Sequence, residues 1–295
     1  MNRPFNLLLL LFLLPMMMVA EDSKEILVCG AEEVYILDLK DIHAPRKIFS
    51  WKAQDRPEIP ASFHEKFRTT DECKAVSGER ILITSSSDGV ALVDRKTSKT
   101  LFWGECANAH SAAFLPGERI AVACSIRKKG GNRLALFDVK VPEKEIFYTE
   151  LYSGHGAVWD GQRGLLWALG LDELRAYSLQ NWATTTPSLK LEATYPLPGH
   201  GGHELSAIRK SSLMIVSAEP GVWLFDRDQK TFTPYDLLKD QKHVKSANIH
   251  PDTEQLIYTQ ADSPDWWTST IRFKNPDQVL VREGEKLYKV RWVVQ

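Results

Sequence analysis

The sequence predicts an all-β chain folded as a single six-bladed β-propeller. Short β-branched and aromatic runs fill it, no stretch has the length and period of a long helix, and one strand motif recurs six times. The motif reads VYILDL (34–39), VALVDR (90–95), LALFDV (134–139), LRAYSL (174–179), VWLFDR (222–227) and, in degenerate form, TIRFKN (270–275). Its fifth residues, Asp38, Asp94, Asp138, Ser178, Asp226 and Lys274, stand 56, 44, 40, 48 and 48 positions apart. Repeats of about 40–50 residues with four strands each are propeller blades.

The first element to justify is the amino terminus. Arg3 precedes an apolar run from Leu7 to Val19, and the chain turns acidic at Glu21-Asp22. That is the pattern of a signal peptide. At ~1.5 Å per residue the run is too short for a ~30 Å hydrocarbon core, so cleavage after Ala20 is expected and no stable membrane anchor remains. Residues 1–20 are then export signal, and residues 21–295 are one propeller domain in a secreted or periplasmic protein. Export permits disulfides among Cys29, Cys73, Cys106 and Cys124. All four lie in or beside strand-like runs without metal spacing, so buried thiols are the first expectation and the pairing stays open.

Each repeat has the same neighbours. An apolar strand precedes it (ILVCG, RILITS, RIAVACS, GLLWALG, SLMIVSA, QLIYTQA), and before that comes an innermost strand opening on a polar residue. The innermost strands are ECKAV (72–76), HSAAF (110–114), HGAVW (155–159), ELSAI (204–208) and KSANI (245–249). The first repeat lacks one, and LYKVRWVV (287–294) is left over at the carboxyl end. That strand fits the vacancy, closes the ring and removes two sheet edges. A seventh blade would have to hide in residues 40–71, which are poor in apolar alternation.

Innermost strands line the channel and enter it from one face. Glu72, His110, His155, His203, Glu204 and Lys245 therefore converge on the axis. Loops between second and third strands bring Glu32-Glu33, Ser85-Ser86-Ser87, Arg127-Lys128-Lys129, Asp172-Glu173, Glu219 and Trp266-Trp267 to the same rim. The long connection 52–71 is expected there as a lid. A solvated channel would be lined by polar residues too, but three histidines at matching blade positions favour a pocket. His110, His155 and His203 with Glu72 or Glu204 suit a divalent Mn, Ca or Zn ion that keeps an open position. In the metal-free alternative one histidine takes a proton while Lys245 or Lys74 steadies an anion. Trp266 and Trp267 serve as a stacking platform or plug a blade interface. His43, His64, His200, His243 and His250 fall in loops or turns and receive no role. Ser111 and Ser246 have no GxSxG elbow, so serine hydrolysis has no support.

The formal net charge of −1, from 37 basic and 38 acidic residues, offers no basic excess for nucleic acid. Compositions of 43% hydrophobic and 25% charged residues are those of a globular chain.

The segments FRTTDECKAV (67–76), NAHSAAFLP (108–116), GHGAVWD (154–160), GGHELS (201–206), VKSANIHP (244–251) and WWTSTIRF (266–273) resemble a family of exported bacterial propeller proteins of unassigned function. The resemblance spans nearly the whole mature chain. It implies a propeller and marks Asp71, Glu72, Lys74, His110, Ser111, His155, Asp160, His203, Glu204, Lys245, Ser246, Trp266 and Trp267 as motif positions, without implying a reaction. This family usually has GGHDL where the chain has GGHEL, so Glu204 keeps the carboxylate. The architecture and axial histidines, though not the motifs, are similar to oligogalacturonate lyases, propellers that hold a manganese ion; this is likeness of fold. It implies proton abstraction next to a uronate carboxylate. The expected function is an exported propeller that binds, and by lyase-type proton abstraction acts on, a carbohydrate or related polar small molecule. In that role His110, His155, His203, Glu72, Lys74 and Lys245 do the chemistry, and Asp71, Ser111, Glu204, Ser246, Trp266 and Trp267 hold the ligand. The alternative is a non-catalytic scaffold for another envelope protein.

Overall fold

The computed structural model describes residues 24–294, so the predicted signal segment lies outside the described residues. Six four-stranded antiparallel sheets form the blades. In blade 1 the strand Leu287–Trp292 pairs with Glu25–Gly30, followed outward by Val34–Asp38 and Arg46–Trp51. The carboxyl-terminal strand thus closes the ring, as the sequence predicts. Blades 2 to 6 start at the axis with Thr70–Val76, Ala109–Leu115, Gly156–Asp160, Glu204–Ala207 and Val244–Ile249, and each runs outward in chain order. The six innermost strands touch one another in ring order.

The reason these sequences make blades is that both faces of the inner strands are buried. In Glu25–Gly30, Leu27 and Cys29 enter the seam with blade 2, whereas Ile26 and Val28 enter the seam with blade 6. The same division gives six apolar clusters, one in each seam between consecutive blades. Such strands read as continuous Val, Ile and Leu runs rather than as alternating ones. The outermost strands have one open face, and Glu145–Glu150 and Ser188–Pro196 accordingly alternate or turn polar.

Residues 40–71 hold one complete strand, Arg46–Trp51, three short helical turns, at 53–55, 61–64 and 65–67, and the start of Thr70–Val76, instead of a seventh blade. The segment is not a lid. Ile59 and Phe67 are buried in the seam of blades 1 and 2 beside Trp51, and Glu58 accepts a hydrogen bond from the Thr100 amide. Its buried apolar anchors make it a packed strap, and only its end, at Arg68, Thr69 and Asp71, reaches the axial cavity.

The cysteines divide two and two. Cys106 and Cys124 form a disulfide, which corrects the expectation of four thiols. Cys29 and Cys73 are fully buried thiols in neighbouring blades.

Candidate functional site

The site is assembled from one residue per blade. In blades 1, 2, 3 and 6 the pairing of the innermost strand slips by one residue, leaving Tyr288, Asp71, His110 and Lys245 outside the ladder. A β-bulge kinks the strand and re-aims the extra side chain. In blades 4 and 5 the same position is held by residues just ahead of the strand, His155 and His203, whose amides bond Leu169 O and Ser217 O. The GG of GGHELS explains how His203 gets there. Gly201 has φ +75°, and a Cβ on Gly202 would meet Gly170 O at 2.6 Å.

Asp71, Tyr288 and the three histidines line a cavity of about 670 Å³ at one mouth of the channel. The histidines stand in a row, with ring centroids 4.3 Å apart for His110 and His155 and 5.0 Å for His155 and His203, both edge-to-face. A carboxyl group flanks each end: Asp71 Oδ1 lies 3.8 Å from His110 Nε2, and Glu219 Oε1 lies 2.7 Å from His203 Nε2. Lys245 Nζ is 3.0 Å from the same His203 nitrogen and 4.8 Å from the centre of the Trp266 ring. Trp266 is 59% exposed. Trp267 also lines the cavity, with Lys286 4.5 Å over its ring.

Tautomers follow from the partners. His110 Nδ1 and His155 Nδ1 face the carbonyls of Asn108 and Ser153 at 3.1 and 2.9 Å. A carbonyl oxygen only accepts, so both Nδ1 atoms carry hydrogen and both Nε2 atoms of the neutral rings are bare acceptors. Burial lowers all three histidines, His155 strongly and His203 to about 4. Three packed imidazolium ions would also repel one another. Burial raises Asp71, although the His110 ring 3.8 Å away acts in the opposite direction. The His203 hydrogen bond lowers Glu219 to about 2, and burial lowers Lys245 to about 8.

Below this ring the channel is closed by charge. Arg291 donates to Glu72 Oε1 and Oε2 at 3.1 and 3.0 Å, and also bonds both oxygens of Glu204. Lys289 adds contacts of 3.5 and 3.3 Å to Glu72 and Glu204, and both carboxylates are fully buried. The two basic groups and Lys74 hold Glu72 far below the usual carboxylate range, against the cost of burial. Glu72 and Lys74 therefore stand outside the expected pocket chemistry. Glu72 lies one layer beneath the cavity, where Asp71 is its neighbour on the rim. Lys74 Nζ uses its donors on Ser111 Oγ, Ala112 O and Ala157 O, and lines a separate cavity of about 410 Å³ at the opposite mouth. Glu204 is locked by Arg291, Ser111 Oγ donates to Glu72 at 2.9 Å, and Ser246 Oγ lies 2.8 Å from Thr259 Oγ1 in the blade wall. Asp160 pairs with Arg227 and Arg163.

The row does not fit the expected metal centre. Among the described residues no group of three His, Cys, Asp or Glu is placed to hold an ion, and His203 Nε2 is taken up by Glu219 and Lys245. Two histidines assigned no role do belong here: His200 lines the cavity, and His243 Nδ1 lies 2.5 Å from Glu219. Tyr288, Lys289 and Arg291 were the other omissions, though alternation along LYKVRW places Lys289 and Arg291 on one face of a channel strand.

Comparison with solved structures shows the fold. A chain in the crystal structure of a nidogen/laminin complex matches with TM-score 0.63 and 12% identity over 90% of this chain and 97% of that one. A protein of unknown function from Bacteroides caccae matches with TM-score 0.62 and 12% identity over 91% and 98%. No curated protein matches the sequence. The family of unknown function DUF6528 matches over residues 15–295, with the predicted propeller and its ring of site residues inside that span, and the chain belongs to it.

Proposed function

We propose that the protein is exported and binds a carbohydrate or related polar small molecule in the cavity of the histidine row. One observation carries the reading: an exposed indole, Trp266, shares a cavity of about 670 Å³ with bare imidazole acceptors. A sugar ring offers an apolar face to an indole and hydroxyl donors to acceptors such as His110 Nε2 and His155 Nε2. The same nitrogens are neutral bases, so lyase-type proton abstraction next to a carboxylate or carbonyl is the reaction that suits them. The apolar run Leu7–Val19 and the Cys106–Cys124 disulfide support export into an oxidising compartment.

Thermal shift against a panel of uronates and neutral glycosides tests the reading, because a ligand of the folded state raises the melting temperature by mass action. A ligand that stabilises the wild type and fails to stabilise His155→Ala supports it. A full response in His155→Ala removes the cavity from the account. The competing reading is a scaffold for an envelope protein, favoured by the half-exposed Val279 and Val281 on the outermost strand of blade 6. It predicts no response to any member of the panel.

A further inference from the structure

Three lysines stand around the axis, Lys245 and Lys289 buried and Lys74 half-buried, and one differs from the others. Lys74 and Lys289 both lean on Glu72, at 3.2 and 3.5 Å. Lys245 is 1% exposed and forms no ion pair with a carboxylate among the described residues; its neighbours are the His203 nitrogen and the Trp266 ring.

The hydrogen count at His203 is informative. A carboxylate oxygen 2.7 Å away only accepts, so Nε2 carries the hydrogen directed at Glu219. That nitrogen then has no lone pair for an ammonium ion at 3.0 Å. A neutral amine, whose lone pair shares the same hydrogen, satisfies both contacts. His203 Nδ1 is left as a buried atom without a hydrogen-bond partner. Burial, which lowers Lys245 to about 8, acts in the same direction. His203, Glu219 and Trp266, the groups around the amine, all line the cavity.

We infer that Lys245 is a nucleophile that forms an imine with a carbonyl-bearing ligand, such as the open-chain form of a sugar. The inference rests on the proposed cavity and adds the reactive group of its ligand. The amine lone pair forms the C–N bond as the carbonyl π pair moves to oxygen. A proton leaves nitrogen for His203 Nε2 while that atom's hydrogen moves to Glu219. Its return to the alkoxide gives the carbinolamine, and the second amine proton follows the same relay to the hydroxyl, which leaves as water as the C=N bond forms. The amine and carbonyl thus give imine and water, with no outside oxidant or reductant.

The test treats the wild-type protein at pH 7 with glycolaldehyde and cyanoborohydride, which reduces any imine to a stable amine, followed by peptide mapping. Labelling at Lys245 about tenfold faster than at the exposed Lys210 is the expected result, as for a desolvated amine that gives up its proton more readily than an exposed lysine. Glu219→Gln, which removes the charge behind His203, should slow it about tenfold, a result that burial alone would not give. Lys245 unlabelled, or labelled no faster than Lys210, overturns the inference. Glycolaldehyde needs no sugar subsite, so failure of the glycoside panel with Lys245 labelled would remove only the proposed ligand class. Sugar binding with Lys245 inert would remove only the imine.

Discussion

Two layers of the same channel, one residue apart in sequence, are built in opposite ways. In the upper layer burial disfavours the charged forms of Asp71, His110, His155 and His203 and lowers Lys245 to about 8, and His203 Nδ1 has no hydrogen-bond partner. In the lower layer Glu72, Glu204, Lys289 and Arg291 are charged and mutually bonded. A buried charge that is fully paired has little left to offer a ligand, whereas a buried neutral acceptor has an unfilled bond. The difference separates the part of the axis that joins blades 1, 2 and 5 from the part that can act on a molecule.

The largest expected effect comes from breaking the lower layer. Arg291→Met leaves two carboxylates buried without their guanidinium and should cost about 3–5 kcal/mol, read by chemical denaturation. A loss under about 1 kcal/mol would mean that the layer is wet and weakly coupled. Next is His155→Ala, which should lower ligand affinity at least about tenfold, the equivalent of about 1.4 kcal/mol. Its ring is one side of a cavity already open, so its effect on stability should be much smaller than that of Arg291→Met.

The layers also differ in how they meet acid. His203, held near 4, stays neutral in the folded protein while the unfolded chain takes up a proton near 6.5. Stability should therefore fall as pH drops from about 6.5 toward 4, and His203→Gln should flatten that decline. Glu72 is depressed much further and adds its own loss only at lower pH. A melting temperature constant from pH 7 to 5 would contradict the neutral row. The smallest effect is at the rim: Trp266→Ala should weaken a stacked ligand by about 1 kcal/mol and leave the melting temperature almost unchanged.

The blade count and the closing strand were legible because they depend on local pattern. Inner strands buried on both faces are continuous apolar runs wherever they occur, and LYKVRWVV was the one strand without a blade. The site was legible to within one residue. Aligning Glu72 with His110 and His155 ignores the bulges that push Asp71 and His110 out of the ladder, and a bulge has no signature in side-chain type. Residues 52–71 suggested a lid by their Pro and charge content, yet Ile59 and Phe67 anchor them in a seam. Cys106 and Cys124 are only 18 apart, but whether two strand-end thiols meet depends on how adjacent strands are offset.

By itself the sequence determined six four-stranded repeats, their closure and the mouth at which the histidines gather, since strand period and repeat spacing act over a few residues to one blade. Tertiary structure alone decided which polar groups are spent on the fold. The bonds that settle it, Arg291 to Glu72 and to Glu204, join residues 219 and 87 positions apart. Charges that distant meet only when the ring closes, and only then do burial and pairing leave the histidine row neutral beside a locked ionic floor.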